Sequence, residues 1–199
     1  MTKRAAVLAL QGDFAEHESA LRQCGAEVME IRQRADLQKT FDVLVIPGGE
    51  STVIGKLLRE LELFSPLQER IRAGLPVFAT CAGLILLADR IENDSISYFR
   101  TLDVTVRRNA YGRQLGSFHT EGDFANLGRV PMSFIRAPSI EHVGAGVTAL
   151  SEFDGKPTAV LQGNQLQGNQ LALAYHPELL ADHRILSWFL EHIASMGKV

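Results

Sequence analysis

Cysteine is scarce: Cys24 and Cys81 are the only two in 199 residues. Two thiols cannot build a disulfide framework or the ligand shell of a structural zinc site, so a reducing cytoplasm is the expected compartment. An excess of one charge is missing too. A formal net charge of −3 gives no field suited to nucleic acid or to an anionic membrane surface. No apolar run approaches the roughly 20 residues of a membrane span. The chain opens Met1-Thr2-Lys3-Arg4 and then turns apolar, an order shared with secretory signals. Gln11, Gly12 and Asp13 cut that run short, and a buried first strand is expected instead. Nothing resembles a linker, and the length suits one domain spanning 1–199 with a substantial core. No metal-ligating cluster or cofactor motif stands out, so neither a metal nor a cofactor is expected.

What is present is alternation. Residues 5–10, 27–31 and 43–46 read as short buried strands, and residues 14–23 as a helix ending near Gly25. Val53, Ile54, Leu57, Leu58 and Leu61 recur at helical spacing. A further helical stretch, 67–73, leads through Gly74 to an apolar run ending at Thr80. Strand and helix alternating this way imply an α/β fold, a doubly wound and mostly parallel sheet flanked by helices. From Leu102 to Tyr175 the segments become short, β-rich and broken by Gly, Pro and Asn. Strands are expected around 104–106, 133–135, 158–161 and 171–174, as antiparallel additions with the last returning to the core. Residues 162–166, Gln-Gly-Asn-Gln-Leu, are repeated at 167–171, which reads as a lengthened hairpin loop. An amphipathic helix over 182–195, with Asp182 as its cap, closes the chain.

Three segments carry chemistry. In Ala79-Thr80-Cys81-Ala82-Gly83-Leu84 an apolar strand stops, small residues follow and a helix begins. That is how a chain lifts a nucleophile onto a sharp turn. The start of a helix favours the attacking thiolate, although a lone cysteine is more often a packing residue. Tyr175-His176-Pro177-Glu178 offers a base and an orienting carboxylate, since residues two apart on an extended segment point the same way. Pro177 biases His176 toward that geometry. The other histidines, His17, His119, His142, His183 and His192, lack such settings and read as surface or packing residues. Third, Ile46-Pro47-Gly48-Gly49-Glu50-Ser51 follows a buried strand. A glycine N–H from this loop and the N–H of Ala82 would stabilise an oxyanion in acyl transfer. A phosphate cradle is the competing reading, but neither P-loop nor dinucleotide glycine spacing follows.

Pro47-Gly48-Gly49-Glu50-Ser51-Thr52, Thr80-Cys81-Ala82-Gly83 and His176-Pro177-Glu178 resemble the class I glutamine amidotransferases. More narrowly, Leu8-Ala9-Leu10-Gln11-Gly12, residues 108–114 (Arg-Asn-Ala-Tyr-Gly-Arg-Gln) and Phe134-Ile135-Arg136-Ala137-Pro138 are similar to the glutaminase subunit of pyridoxal 5′-phosphate synthase. The resemblance runs nearly end to end. It implies a flavodoxin-like fold, and hydrolysis of L-glutamine to glutamate and ammonia by Cys81, His176 and Glu178. The oxyanion hole would be Gly49 and Ala82. Glutamine-binding positions would be Gly49, Glu50, Ser51, Arg108, Ile135 and Arg136. Two arginines suit an α-carboxylate and Glu50 an α-ammonium, while paired surface charges are the plainer account of the arginines. Ammonia would pass to a (β/α)8-barrel synthase subunit in a hetero-oligomer, meeting this chain near Gln11 and the following helix. Pyridoxal 5′-phosphate would be that assembly's product, not a cofactor here. Leu180 and Val53 stand where the family commonly has Thr. A glutaminase for another synthase, a cysteine peptidase relative and a non-catalytic scaffold are the alternatives. The 108–114 segment speaks against the first two, and the intact Cys81, His176 and Glu178 against the third.

Overall fold

The computed structural model describes residues 2–110, 116–163 and 169–193. Its first part runs β1 (Arg4–Leu8), α1 (Phe14–Gln23), β2 (Glu27–Ile31), β3 (Val43–Ile46), α2 (Ser51–Glu60), α3 (Phe64–Arg72), β4 (Val77–Thr80) and α4 (Ala82–Leu87). Strand then follows strand: β5 (Ala88–Ile91), β6 (Leu102–Arg107), β7 (Ser117–Phe124), β8 (Gly128–Ile135), β9 (Ser139–Val143), β10 (Val147–Phe153), β11 (Lys156–Gln162) and β12 (Gln170–Leu173). A short helix, α5 (Arg184–Trp188), comes last.

Nine strands form one sheet in the order β2-β1-β3-β4-β12-β11-β10-β7-β8, and β5-β6-β9 form a smaller one. β2, β1, β3, β4 and β12 run parallel. From β12 onward each neighbour is antiparallel. The α/β architecture with antiparallel additions is therefore the one expected. β3 and β4 are buried along their whole length, as strands covered on both faces must be. Alternation along β4 sorts the helices. Phe78 meets His17 of α1 (centroids 6.0 Å apart) and Phe189 beyond α5 (5.3 Å). Ala79 points the other way, its Cβ 3.0 Å from where a Cβ on Gly83 of α4 would sit. Helices thus cover both faces. Each fully buried Leu, Ile or Phe here gains roughly 1.5–3 kcal/mol of transfer free energy, so the ends of these strands are firm platforms.

Several boundaries differ from expectation. The first strand leaves the sheet at Leu8, not residue 10, because Gly12 turns at φ 100° to bring residues 11–13 against another loop. α3 begins at Phe64, one turn early. The closing helix is not continuous: five α-helical residues give way to a π-turn, Phe189–Ile193, and residues 194–195 lie outside those described. That wider turn lets adjacent rings face different walls, Trp188 toward Phe124 and Phe189 toward Phe78. Asp182 stands one residue before the cap position, held by His183, yet its Oδ1 accepts the Arg184 N–H at 3.0 Å. Strands β5, β7, β9 and β10 had no clear sequence signal. β11 and β12 form the expected hairpin, pairing Gln162 with Gln170; residues 164–168 of the repeat, and 111–114 of the Arg-Asn-Ala-Tyr motif, are outside the described residues. No helix among the described residues is long and apolar enough to cross a membrane.

Candidate active site

Register puts three strand ends at one level. Ile46 pairs with Ala79 and Thr80 with Leu173, so the segments leaving β3, β4 and β12 emerge side by side. Those segments hold Gly48-Gly49, Cys81 and His176. Ligands of open α/β sheets sit in this position, outside the carboxyl ends of parallel strands.

Cys81 occupies a strained turn, φ 47° and ψ −98°. Such backbone costs of order 1–3 kcal/mol for a side-chain-bearing residue. Its N–H donates to Leu173 O at 2.8 Å and its carbonyl accepts the Ile85 N–H at 3.3 Å, which holds the strain in place. Gly83 is required beside it, because a Cβ there would lie 2.3 Å from Ile46 O. Cys81 is 8% exposed, and its thiol contacts Ile135 O at 3.9 Å. The first N–H groups of α4, Ala82's among them, lack intrahelical partners by construction.

The backbone N–H of His176 donates to Ser133 O at 2.8 Å, tying the histidine to edge strand β8. Its Nδ1 lies 2.7 Å from Glu178 Oε1 and 3.3 Å from Asp13 Oδ2. A carboxylate accepts only, so Nδ1 carries the proton and Nε2 is left for exchange. Burial works against the imidazolium. Asp13, the neighbouring Cys81 and Glu178 outweigh it and hold the ring's pKa far above the ordinary value. Burial likewise works against the Glu178 carboxylate, but His17 and His176 hold its pKa down, at about 2. Ligand atoms of Asp13, His176 and Glu178 lie within 4.8 Å of one another, but the two carboxylates converge on the same protonated nitrogen, which leaves that nitrogen no lone pair for an ion.

The loop after β3 is clamped by the residues after β1. Asp13 N–H donates to Gly48 O at 3.2 Å, and Glu50 N–H donates to Gln11 Oε1 at 2.7 Å. Gly12 has to be glycine, since a Cβ would sit 1.8 Å from Gly48 O. Gly48 abuts the imidazole, where its own Cβ would lie 2.4 Å from His176 Cε1. Gly49, at φ 145°, faces Gln11.

Of the residues singled out from sequence, Cys81, His176, Glu178, Ile135, Gly49, Ala82 and Gln11 gather here. Glu50 is exposed at the head of α2 and accepts from Thr52 Oγ1 at 3.2 Å; Ser51 beside it is buried. Arg108 is instead tied to Asp94 (3.1 Å) and the Tyr98 hydroxyl (3.2 Å). Arg136 is exposed with φ 44°. Sequence reasoning missed Asp13; of the two readings open for His17, surface or packing, the structure gives the buried one, against Glu178 (3.4 Å) and Thr80 Oγ1 (2.9 Å). A signal existed: His17 shares a helix face with buried Ala20 and Leu21, an apolar stripe where a histidine needs a partner.

A cysteine on a strained strand-to-helix turn, beside a buried His-carboxylate pair at the head of a parallel sheet, is an arrangement suited to acyl transfer. The chain belongs to the SNO glutamine amidotransferase family, whose model matches residues 7–195. It is 55% identical over 191 residues to pyridoxal 5′-phosphate synthase subunit PdxT of Desulfitobacterium hafniense strain Y51, covering 96% of this chain and 94% of that protein. The protein of the same name from Methanocorpusculum labreanum is 51% identical, covering 96% and 98%. A solved structure described as a glutamine amidotransferase superposes with a TM-score of 0.88 at 40% identity, covering 96% of this chain and 98% of that one.

Proposed function

We propose that this chain is the glutaminase subunit of a pyridoxal 5′-phosphate synthase, working as one amidotransferase domain in a reducing cytoplasm. It hydrolyses L-glutamine and delivers ammonia to a (β/α)8-barrel partner for vitamin B6 synthesis. The observation that carries the catalytic reading is the His176 Nδ1 to Glu178 contact of 2.7 Å beside the strained turn of Cys81. Cys81 Sγ attacks the carboxamide carbon after His176 takes its proton. The tetrahedral oxyanion collapses, the C–N bond breaks, and His176 protonates the departing ammonia. Water then adds to the thioester, with His176 as base; the C–S bond breaks, glutamate leaves, and the Cys81 sulfur and the His176 proton return to the starting pair. Glu178 fixes the ring's tautomer and supports its charge.

N–H groups of Gly49 and Ala82 would stabilise the oxyanion. Glu50 suits the α-ammonium and Arg108 and Arg136 the α-carboxylate, with Ser51 and Ile135 lining the site. The Gly48 carbonyl is engaged by Asp13, and the next N–H of a planar peptide points the opposite way. This supports a gate in which partner docking at Gln11 and α1 reorients the Gly48–Gly49 peptide. Glutamate and ammonia release should be measured with the chain alone and with the barrel subunit. Turnover is expected mainly with the partner, and Cys81→Ala should lose at least about 10³-fold without loss of fold. Turnover retained by Cys81→Ala would refute the nucleophile; equal turnover with and without partner would remove the gate only.

A further inference from the structure

We infer that His17 is a positioning residue of the glutaminase site, a second imidazole that holds the Glu178 carboxylate together with His176. The inference rests on the Cys81-His176-Glu178 reading above. Glu178 Oε1 lies 2.7 Å from His176 Nδ1 and 3.4 Å from His17 Nε2. Both histidines therefore converge on one oxygen, from β12's exit and from α1. The same His17 nitrogen is 2.9 Å from Thr80 Oγ1, the residue immediately before Cys81. One side chain thus touches the segment that carries the nucleophile and the segment that carries its base.

Chemistry fixes the protonation of His17. The Glu178 carboxylate can only accept, so Nε2 must carry hydrogen to be attracted to it. His17 Nδ1 is buried with no hydrogen-bond partner. The enclosed space around it, lined by His17, Phe78, Pro177, Glu178, His183 and Leu186, is too narrow to admit a water molecule. A proton on Nδ1 would be an orphaned donor in a dry pocket, which is costly; a bare lone pair there costs less. His17 thus presents its Nε2–H toward both Thr80 Oγ1 and Glu178 Oε1. The edge of its ring rests against Phe78 at 6.0 Å and 72°, which fixes its plane.

The consequence reaches the base. Titratable groups around this carboxylate are His17, His176, Asp13 through His176, and His183 on the pocket wall. Without the His17 donor, Glu178 keeps one imidazole and gains protons more readily. A neutral Glu178 accepts His176 Nδ1–H more weakly and no longer offsets the imidazolium charge, so the ring's tautomer and its aim at Cys81 are less firmly fixed. Asp13, half exposed and 3.3 Å away, then competes for the same nitrogen.

The test compares His17→Leu, His17→Gln and Cys81→Ala in the complex with the barrel subunit. His17→Leu should lower kcat roughly tenfold or more, leave KM for glutamine within about twofold, and move the acid limb of the pH profile upward by about one unit. His17→Gln, whose amide N–H reaches the position of Nε2, should restore kcat to within about threefold and return the acid limb. A role in packing alone would lower stability in both variants and leave the limb in place. If Cys81→Ala is dead while His17→Leu keeps the wild-type kcat and limb, the His17 inference falls and the triad stands. If Cys81→Ala keeps turnover, the triad falls first. Should His17→Leu not fold, imidazole ¹⁵N spectra of the unaltered chain and of Glu178→Gln decide. An Nε2-protonated ring whose signal moves on Glu178→Gln is expected; a ring with no hydrogen on Nε2, or a signal that does not move, overturns the clamp.

Discussion

The two halves of this sheet solve different problems. Parallel strands β1, β3, β4 and β12 are buried along nearly all their length, and each ends in a segment that touches the site: Gln11 to Asp13, Gly48 and Gly49, Cys81, and His176. The antiparallel strands are more exposed, and β7 alternates along its length with hardly a buried residue before Phe124. They supply backbone rather than side chains at the site. Ser133 O receives the His176 N–H, and Ile135 O faces the Cys81 sulfur. Chemistry sits where rigid strands stop, and the antiparallel half closes a wall around it. Phe134 of β8 packs on Tyr175 at 5.4 Å, pinning that wall to the approach to His176.

Glycine substitutions should separate the halves most sharply. Gly48→Ala puts a Cβ 2.4 Å from His176 Cε1 and 2.7 Å from Asp13 Oδ2. The ring must leave Glu178 or the loop must shift, and displacement of about 1 Å at a reacting group costs on the order of 100-fold in rate. Steady-state turnover on glutamine with the barrel partner present checks this; a fall smaller than tenfold would mean the loop yields and the ring does not.

Acid stability should give the next largest effect. Glu178 is ordinarily half-protonated near 4.5 and is held at about 2 in the fold. A depressed carboxyl stabilises the fold above its unfolded value, and that contribution is lost as pH falls from about 4.5 toward about 2. His176 shifts the opposite way, so its contribution is complete below 6.5 and lost only as pH rises through its elevated value. Denaturant melts at pH 6 and pH 3 should show a drop that is much shallower in Glu178→Gln. Equal drops would assign acid sensitivity to other carboxylates.

The smallest effect belongs to the antiparallel half. A Cβ on Gly146, between β9 and β10, meets nothing within 4 Å, and the backbone there needs no left-handed turn. Gly146→Ala should leave turnover unchanged and shift stability by less than about 1 kcal/mol, toward stabilisation, by restricting the unfolded chain. Destabilisation beyond that would show that this turn is tighter than its surroundings imply.

Much of the parallel half could be read from sequence because local chemistry wrote it there. Val43–Ile46 and Glu27–Ile31 are strands at the expected limits, and α1 covers Phe14–Gln23 as expected. Cys81, His176 and Glu178 could be singled out as candidates because each sits in a segment whose neighbours announce a turn or an extended approach, and the fold gathers the three. β7 and β10 were not recognisable: their polar, half-exposed residues form strands through cross-strand pairing, with Ser117 to Phe124 laid against Ile135 to Gly128, a partner that no local window contains. The same limit hid Asp13 and His17. Their spacing marks a helix face, but their meaning depends on a residue more than 150 positions away.

Sequence alone determined the elbow that carries Cys81, the extended approach to His176, the glycine loop and the parallel α/β frame, since propensity, apolar periodicity and turn chemistry act between near neighbours. Tertiary structure decided which groups share an atom. Only the pairing of β4 with β12 sets Cys81 beside His176, and only the packing of α1 and its cap on that sheet brings His17 to the Glu178 carboxylate and Asp13 to the His176 ring. Burial then makes those contacts matter, because a charge withdrawn from water is governed by the few groups within a hydrogen bond's reach.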